Sequence, residues 1–373
     1  MARRLVVATI ALGLVLAVAI GAAAWHYSNE ILRIGPPSTF HEQRVLAAEP
    51  EWIRLSRDRE SLQPGTWALE WPDGFGRVGR VLRADSAGVV REFRAVIGAP
   101  PVGGWASLRG VSRSADPLSM LGLSFETVAI QGPLGKCPAW WVPGADSTWV
   151  VYVHGRGANR AEGLRALGVY AARGLPSLLV SYRNDPDAPR SPDGFSHLGL
   201  TEWEDLEAAV RYAIAAGARD VVLTGFSMGG QVVMQFMVRS ELAPRVVALV
   251  LESPLLDWDA TLAHRARAMR VPAFATWLGK RAAAARARLD WDQLDRVTHV
   301  EDADLPILVF HNVQDTSVPA SVSESFVRLR PNRATLVLVE GGNHVDAWNA
   351  DPARYADVLG QWLHGRGIGS DPH

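Results

Sequence analysis

The chain has 373 residues, of which 48% are hydrophobic and 21% charged. This length predicts roughly one to three folded domains, and the composition excludes wholesale disorder. Lysine plus arginine (38) nearly balances aspartate plus glutamate (39), and a net charge of −1 argues against a nucleic-acid-binding surface over the whole protein. The single cysteine, Cys137, excludes an intrachain disulfide and a thiolate cluster for zinc or iron–sulfur.

The amino terminus has the pattern of a membrane-spanning helix. Arg3 and Arg4 precede 20 uncharged residues, Leu5 to Ala24, which as a helix cover about 30 Å, the thickness of a hydrocarbon core. The two arginines favour a cytoplasmic amino end, so the rest of the chain would be extracytoplasmic. We therefore expect a transmembrane signal-anchor over residues 1–27 of a single-pass membrane protein. A cleaved secretory signal, with Ala22 to Ala24 as the cleavage site and a secreted product, is the alternative.

Residues 28–124 are predicted to form a linker and an antiparallel β-rich accessory region. Gly35-Pro36-Pro37 breaks the chain, and a helix is expected around Glu42–Ser56. From Thr66 to Ile97, short alternating segments separated by turns predict a β-meander. Residues 74–79 match GxGxxG but lie between strand-like segments instead of opening a helix, so we reject a dinucleotide site. Nothing here indicates a chemistry, and the role of this region is left open.

Strands and helices alternate from Phe125 onward. The later strand candidates are hydrophobic at consecutive positions, as strands covered on both faces must be. The order predicts an α/β fold with a doubly wound, mostly parallel eight-stranded sheet that starts antiparallel. Thr201 and Glu204 have the spacing of a capping box. The strand candidates are 126–131, 139–142, 149–153, 178–181, 221–226, 246–251, 307–310 and 336–339, and the helix candidates are 161–173, 202–216, 228–240, 321–329 and 352–364.

The clearest chemical signal is a GxSxG turn at residues 225–229, between a strand candidate and a helix candidate. Gly225 and Gly229 remove side chains that would clash in a sharp turn, so the hydroxyl of Ser227 would stand exposed at the carboxyl edge of the sheet. The amino end of the following helix favours a developing negative charge. We predict Ser227 as a nucleophile; a glycine-rich structural turn is the alternative.

A serine hydroxyl becomes a nucleophile when a base takes its proton and an acid orients that base. His344 follows the last predicted strand, and Asp315 follows the strand before it, so both would lie at the carboxyl edge. The order serine, acid, histidine is the one expected for such a sheet. Asp257 is the alternative acid, and a turn-capping aspartate and a surface histidine are the alternatives to the catalytic roles.

An oxyanion site is predicted from residues 154–157, HGRG, which end an early buried strand. The backbone N–H groups of Arg156 and Met228 would donate to the oxyanion of a tetrahedral intermediate. Gly155 and Gly157 would leave room for the acyl group and permit unusual backbone angles. His154 suits bracing this turn better than acting as a base.

Residues 125–373 resemble the α/β-hydrolase superfamily. HGRG at 154–157, GFSMGG at 225–230, HNVQDTSVP at 311–319 and GGNHVDAW at 341–348 are similar to its oxyanion, nucleophile, acid and base segments. The resemblance is closest to bacterial membrane-anchored members of the serine-aminopeptidase-like and BEM46-like branch. Two features depart from the pattern: HNVQD stands where HGxxD is usual, and residues 26–125 have no counterpart in the minimal fold.

The resemblance implies an α/β-hydrolase catalytic domain over 125–373 with a small helical lid at 254–305. It also implies a serine hydrolase that cleaves carboxylic esters with Ser227, Asp315 and His344 and needs no cofactor or metal. A short-peptide peptidase, an acyltransferase and a catalytically silent binding protein are the alternatives. Between residues 264 and 288 the lid has seven arginines and lysines and no acidic residue. Such a run is consistent with a solvated helix face, and the alternative is attraction to an anionic membrane surface or an acidic acyl substrate. Acyl length and oligomeric state are left open.

Overall fold

The computed structural model describes residues 2–35, 41–299 and 303–370, so Pro36 and Pro37 of the predicted break lie outside the described residues. Its first element is helix α1 (Ala2–Leu32). Val6–Leu32 is long and apolar enough to cross a membrane, with a mean hydropathy of 2.6, although a signal sequence would have the same properties. Most of α1 is exposed, whereas Ile31 and Leu32 are buried. The carboxyl end of α1 is therefore part of the folded body.

A closed antiparallel barrel of six strands follows, in the order β1-β2-β5-β4-β3-β6. Its interior is filled by hydrophobic side chains such as Leu69, Val78 and Leu108. Strands β3 to β5 confirm the predicted meander, and the GxGxxG segment lies within β4. The strands are β1 (His41–Ala48), β2 (Trp52–Leu55), β3 (Trp67–Trp71), β4 (Gly74–Asp85), β5 (Gly88–Ile97) and β6 (Trp105–Arg109).

The helix predicted around Glu42–Ser56 is wrong, because these residues form β1 and β2. In β2, buried residues alternate with half-buried ones, so Ile53 and Leu55 point into the barrel while their neighbours do not. Val45 of β1 joins them there. Pairing with β5 and β6 decides the conformation of this segment, and its local sequence does not reveal those partners.

Helix α2 (Pro117–Leu121) leads into an eight-stranded sheet in the order β14-β13-β12-β11-β9-β10-β8-β7. At one edge of the sheet the first strand pairs antiparallel with the second, and the second pairs antiparallel with its other neighbour. All remaining neighbours pair parallel, which confirms the predicted mostly parallel sheet with an antiparallel start. The strands are β7 (Glu126–Gly132), β8 (Gly135–Val142), β9 (Thr148–Val153), β10 (Ser177–Val180), β11 (Asp220–Phe226), β12 (Val246–Glu252), β13 (Ile307–Asn312) and β14 (Ala334–Val339).

Helices cover both faces of this sheet. Alternate residues of β9 show the two faces, since Val151 packs with Leu206 and Val232 on one side while Val150 packs with Leu164 on the other. The sheet is therefore doubly wound, as predicted. The helices are α3 (Leu164–Ala172), α4 (Trp203–Ala215), α5 (Met228–Arg239), α6 (Trp258–Ala268), α7 (Ala273–Ala287), α8 (Ala320–Arg328), α9 (Ala347–Ala350) and α10 (Pro352–His364).

The capping box predicted at the start of α4 is not formed. Glu202 occupies the N-cap position and makes no side-chain cap hydrogen bond. Arg183 Nη2 lies 2.7 Å from the Glu204 carboxylate and draws it away from the backbone donor that a capping box requires. A tertiary ion pair thus takes precedence over the local pattern.

Candidate active site

Ser227 lies at the sharp turn between β11 and α5. Its φ of 51° and ψ of −116° are sparsely populated for a residue with a side chain, so the surrounding structure must hold this conformation. A Cβ added at Gly225 would lie 2.9 Å from the carbonyl group of Gly229, and one added at Gly229 would lie 2.0 Å from the carbonyl oxygen of Val153. The turn therefore requires glycine at both positions.

Three loops at the carboxyl edge of the sheet bring Ser227, His344 and Asp315 together. His344 Nε2 lies 2.7 Å from Ser227 Oγ, and His344 Nδ1 lies 2.7 Å from Asp315 Oδ2. When Nδ1 donates to the carboxylate, Nε2 is left to accept the serine proton. The alternative acid, Asp257, is instead the N-cap of α6 and accepts from the N–H of Ala260 at 2.8 Å.

The Asp315 carboxylate is fully buried and has several hydrogen-bond donors. Its Oδ1 accepts from the N–H groups of Ser317 and Val318 at 2.8 and 2.9 Å, and His311 Nε2 lies 3.4 Å from Oδ2. Burial by itself would raise the pKa of Asp315, but the charge of His344 and the hydrogen bonds from both histidines hold that pKa well below its usual range. The carboxylate is therefore ionised at neutral pH.

The pKa of His344 is shifted in the opposite direction. Burial by itself would lower it, but the negative charge of Asp315 and the hydrogen bond to it have the larger effect, so the pKa of His344 lies above its ordinary value of about 6.5. His344 is therefore a stronger proton acceptor than a free imidazole. It is also neutral, and able to act as a base, only at a higher pH.

Asn312 connects the acid segment to the loop that carries His344. Its Nδ2 donates to the carbonyl oxygen of Gly341 at 2.7 Å, and its Oδ1 accepts from the N–H of Asp346 at 3.1 Å. Gly341 and Gly342 have φ of 80° and 68°, which allows the loop to turn back toward β13. This asparagine occupies the position where the α/β-hydrolase pattern has glycine, so the departure noted in the sequence has a structural role.

The predicted oxyanion donors lie beside Ser227. Arg156, Ser227 and His344 line the same cavity, and Met228 is the first residue of α5. Within the described residues, no acceptor is found for the N–H groups of Arg156 and Met228, so both are free for a ligand. A Cβ added at Gly155 would lie 3.0 Å from Ser227 Cβ, so glycine there lets the loop pack against the serine.

His154 braces the predicted oxyanion loop, residues 154–157. It is buried, with Nε2 2.7 Å from Asp185 Oδ2 and Nδ1 2.9 Å from the carbonyl oxygen of Gly155. The N–H of Gly155 donates to Glu162 Oε2 at 2.6 Å, and Gly157 has a φ of 75°. His154 is thus placed to hold the turn, away from the serine hydroxyl.

A cavity of about 710 Å³ opens over Ser227 and His344. Arg59 and Trp67 come from the barrel side of this cavity, and Trp258 comes from α6. The accessory barrel is therefore one wall of the candidate site. The sequence does not reveal this wall, because residues 26–125 have no motif that indicates a chemistry.

Hydrogen bonds attach the barrel to segments beside the predicted site residues. Asn349 of α9 donates through Nδ2 to the carbonyl oxygens of Thr66 and Gly110 at 2.8 and 2.7 Å, and its own carbonyl accepts from the N–H of Thr66 at 2.8 Å. Arg113, which follows β6, donates to the carbonyl oxygen of Gly157 in the oxyanion loop. The barrel thus contacts both α9, which follows the loop that carries His344, and the predicted oxyanion loop.

Two family models match the chain. The model described as "Alpha/beta hydrolase family" matches residues 150–358, and the model described as "Domain of unknown function (DUF8805)" matches residues 44–109, which lie in the barrel. These matches do not assign a branch within the larger family, so the predicted branch stays a prediction. No curated protein is significantly similar to the chain in sequence.

Solved structures of an esterase are similar in fold to about two thirds of this chain. The esterase Pf2001 of Pyrococcus furiosus is 17% identical with a TM-score of 0.55 over 68% of this chain and 94% of the esterase. A second crystal form of that esterase is 19% identical with a TM-score of 0.53, over 68% and 96%. A putative alpha/beta hydrolase from Agrobacterium tumefaciens is 16% identical with a TM-score of 0.48, over 64% and 97%.

Proposed function

Because this chain belongs to the alpha/beta hydrolase family, we propose that it is a serine hydrolase that cleaves carboxylic esters through an acyl-enzyme on Ser227. The observation that carries the proposal is the pair of 2.7 Å contacts that His344 makes, one to Ser227 Oγ and one to the Asp315 carboxylate. In this proposal Ser227 is the nucleophile, His344 the base and Asp315 the orienting acid, and the two contacts support it because each pair is within hydrogen-bond reach.

In the first half-reaction, His344 Nε2 takes the proton of Ser227 while Oγ bonds to the ester carbonyl carbon. The carbonyl electron pair moves to oxygen, where the N–H groups of Arg156 and Met228 donate to the oxyanion. The intermediate collapses, the bond to the alcohol breaks, and the alcohol oxygen takes the proton from His344. Water then attacks the acyl-enzyme, again giving its proton to His344, and the carboxylic acid leaves as Ser227 regains its proton. Asp315 holds the imidazole and stabilises its charged form throughout.

We also propose how the chain is organised around this chemistry. Residues 1–27 would be a single-pass membrane anchor, residues 28–124 an accessory region and residues 125–373 the catalytic domain, with α6 and α7 in the lid at 254–305. Arg3 and Arg4 favour an extracytoplasmic catalytic domain. If the apolar segment is cleaved after Ala24 instead, the body is secreted. The size of the retained protein, measured by mass spectrometry of the membrane fraction, distinguishes these outcomes.

A fluorophosphonate probe tests the nucleophile directly, because it reacts with activated serines. We expect the full chain in detergent to be labelled and Ser227→Ala to lose labelling completely. Ser240→Ala is the control, since Ser240 lies at the end of α5 and does not line the cavity. Labelling that persists in Ser227→Ala would contradict the assignment, and a parent protein that is never labelled would favour a catalytically silent binding protein.

A substrate panel distinguishes the remaining enzyme classes. We expect p-nitrophenyl esters to be hydrolysed and the matching aminoacyl anilides to be left intact. Faster cleavage of the anilides would identify a peptidase instead. Transfer of the acyl group to an added alcohol, with little free acid formed, would identify an acyltransferase.

The charge of the cavity predicts a preference for substrates with an anionic group. Among the described residues, six arginines and three acidic residues line it, and one of these arginines, Arg265 of α6 in the predicted lid, is exposed. We expect Arg265→Glu to lower kcat/KM for an anionic ester roughly 3- to 10-fold at low salt, because an exposed charge is partly screened. A neutral ester of the same length should be unaffected.

Arg267→Glu is the matched control for this prediction. Arg267 is two residues further along α6, carries the same charge and does not line the cavity. Equal losses in the two variants, or an equal loss with the neutral ester, would show that the cavity does not select charge.

A further inference from the structure

The carboxyl end of α1 needs hydrogen-bond donors from elsewhere in the chain. The last carbonyl groups of a helix have no intrahelical partner, and the negative end of the helix dipole lies there. The last turn of α1 contains no basic residue. Its final residues, Ile31 and Leu32, are buried, so water has little access to this turn.

Arg156 supplies these donors from the oxyanion loop. Its Nη2 lies 2.8 Å from the carbonyl oxygen of Ile31 and 3.2 Å from that of Glu30, and both Nη2 and Nε donate to the carbonyl oxygen of Arg33. Burial lowers the pKa of the Arg156 guanidinium to about 10, so it remains charged at neutral pH. A charged guanidinium that donates to three carbonyl oxygens at the negative end of a helix stabilises that end as a cap.

The backbone around Arg156 depends on contacts to fix its conformation. Gly155 and Gly157 flank it, and glycine restricts backbone rotation least. Contacts must therefore fix the direction of the Arg156 N–H. The carbonyl oxygen of Gly155, which shares a peptide group with the Arg156 N–H, accepts from the N–H of Ala158 at 3.2 Å and lies 2.9 Å from His154 Nδ1. The guanidinium on the end of α1 is the contact that the Arg156 side chain adds, while Glu162 and Arg113 hold the N–H of Gly155 and the carbonyl oxygen of Gly157.

A second contact holds α1 in place independently of Arg156. A Cβ added at Gly279 of α7 would lie 2.6 Å from Tyr27 Cβ, so the two helices approach as closely as a glycine permits. Small residues spaced four apart allow such an approach between helices. On α7 the buried small residues are Ala275, Gly279, Ala283 and Ala287.

Arg286 of α7 strengthens the contact between the two helices. Its Nη1 lies 2.5 Å from Ser28 Oγ and 2.7 Å from Asn29 Oδ1, and its guanidinium carbon lies 3.9 Å from the ring centre of Trp25. Of the basic residues that the sequence suggested for an anionic membrane or substrate, Arg286 therefore contacts α1 instead.

We propose that the docked carboxyl end of α1 positions the oxyanion loop through the Arg156 side chain, so that turnover depends on the docking of α1. The inference rests on the proposed function, because it takes the Arg156 N–H as an oxyanion donor. The guanidinium is a positioning group, since it binds α1 and acts on the reacting atoms only through its own backbone. Any change that lifts α1 from α7 would thus reduce stabilisation of the tetrahedral intermediate.

The first experiment compares Arg156→Gln and Arg156→Lys with the parent full chain in detergent, using a neutral ester. Losing a whole oxyanion donor costs about 10²- to 10³-fold in kcat, so a donor that is only displaced should cost roughly 10- to 100-fold. KM should change less than about twofold. Arg156→Lys should be intermediate, because an ammonium group cannot span three carbonyls.

Arg245→Gln is the matched control. Arg245 also donates to backbone carbonyls, those of Arg219 at 2.8 Å and Ala218 at 3.1 Å, but it lies outside the cavity. Its kcat should equal that of the parent. Rates are divided by the concentration of probe-reactive Ser227, so a fraction of misfolded protein does not lower kcat.

Two further measurements distinguish a displaced oxyanion donor from a general loss of structure in the active site. A trifluoromethyl ketone forms an oxyanion when Ser227 adds to it, so its affinity for Arg156→Gln should fall by the same factor as kcat. The pH at which kcat/KM reaches half its maximum should not move, because the contact between His344 and Asp315 is unchanged. A shifted pH profile or an unchanged ketone affinity would overturn the inference.

The second experiment undocks α1 without changing the oxyanion loop. Gly279→Leu, or Gly279→Ala if the larger residue prevents folding, should lower kcat as Arg156→Gln does. Gly360→Leu is the control, since no atom lies within 4 Å of a Cβ added at that helical glycine. The double variant of Arg156 and Gly279 should be no slower than the slower single variant, because both changes break one connection.

The outcomes that overturn this inference differ from those that overturn the proposed function. Losses that multiply in the double variant, or an unchanged kcat in Arg156→Gln, would reject the role of α1 while Ser227 is still labelled. Failure of the probe to label the parent would reject the serine hydrolase itself.

Discussion

Replacing His344 with alanine is expected to lower kcat about 10⁶-fold, because the Ser227 hydroxyl then has no base within reach. KM should change little, since His344 contributes to the reaction step more than to binding the ester. The double variant with Ser227→Ala should be no slower than either single variant, because the residues act as a unit. Turnover of a p-nitrophenyl ester measures all three.

Two controls make this result interpretable. His264→Ala removes an imidazole from α6 that does not line the cavity, and its kcat should equal that of the parent. His344→Ala also removes one of the partners of the buried Asp315 carboxylate, which can destabilise the fold. His344→Gln retains an amide donor there and separates stability from catalysis. A loss below about 100-fold in both His344 variants, with a normal unfolding temperature, would mean that another group is the base.

Replacing Asp315 with asparagine is expected to lower kcat about 10⁴-fold and to move the acid limb of the pH profile to lower pH. The rate falls because an amide does not select the imidazole tautomer that leaves Nε2 free to accept a proton. The limb moves because the negative charge of Asp315 keeps the pKa of His344 above its ordinary value. Without that charge, burial lowers the pKa, and His344 becomes neutral at a lower pH. The pH dependence of kcat/KM measures the shift.

Asp257→Asn is the matched control for Asp315→Asn. It makes the same chemical change at the other acid that the sequence offered, and asparagine can still cap α6. Its kcat and its pH profile should equal those of the parent. If Asp257→Asn showed the large loss and Asp315→Asn did not, the acid would be Asp257; an acid limb that moves to higher pH in Asp315→Asn would contradict the assigned electrostatics.

The sheet could be predicted because its signal is local. Strands such as β9 and β12 are hydrophobic at consecutive positions, since helices cover both of their faces. The signal for the sharp turn at Ser227 is local too, because the strand, the turn and the helix are adjacent in the sequence. By contrast, β1 and β2 were predicted as a helix, because their strand conformation depends on pairing with β5 and β6.

The residues that support the site were harder to predict, because their contacts are with segments that are distant in the sequence. Asn312 looked like a departure from a family pattern, and only its hydrogen bonds to the His344 loop explain it. The barrel wall and the hydrogen bonds of Asn349 join segments more than 200 residues apart in the chain. No hydrophobic periodicity or turn motif in the sequence predicts such contacts between distant segments.

By itself, the sequence determined an apolar amino-terminal helix, a mostly parallel sheet and a serine on a sharp turn, because each is encoded by consecutive residues. Only the tertiary structure decided that a barrel forms one wall of the cavity and that Arg156 caps α1. These features depend on which surfaces pack together after the elements form, and packing is selected by shape and hydrogen-bond complementarity over the whole chain.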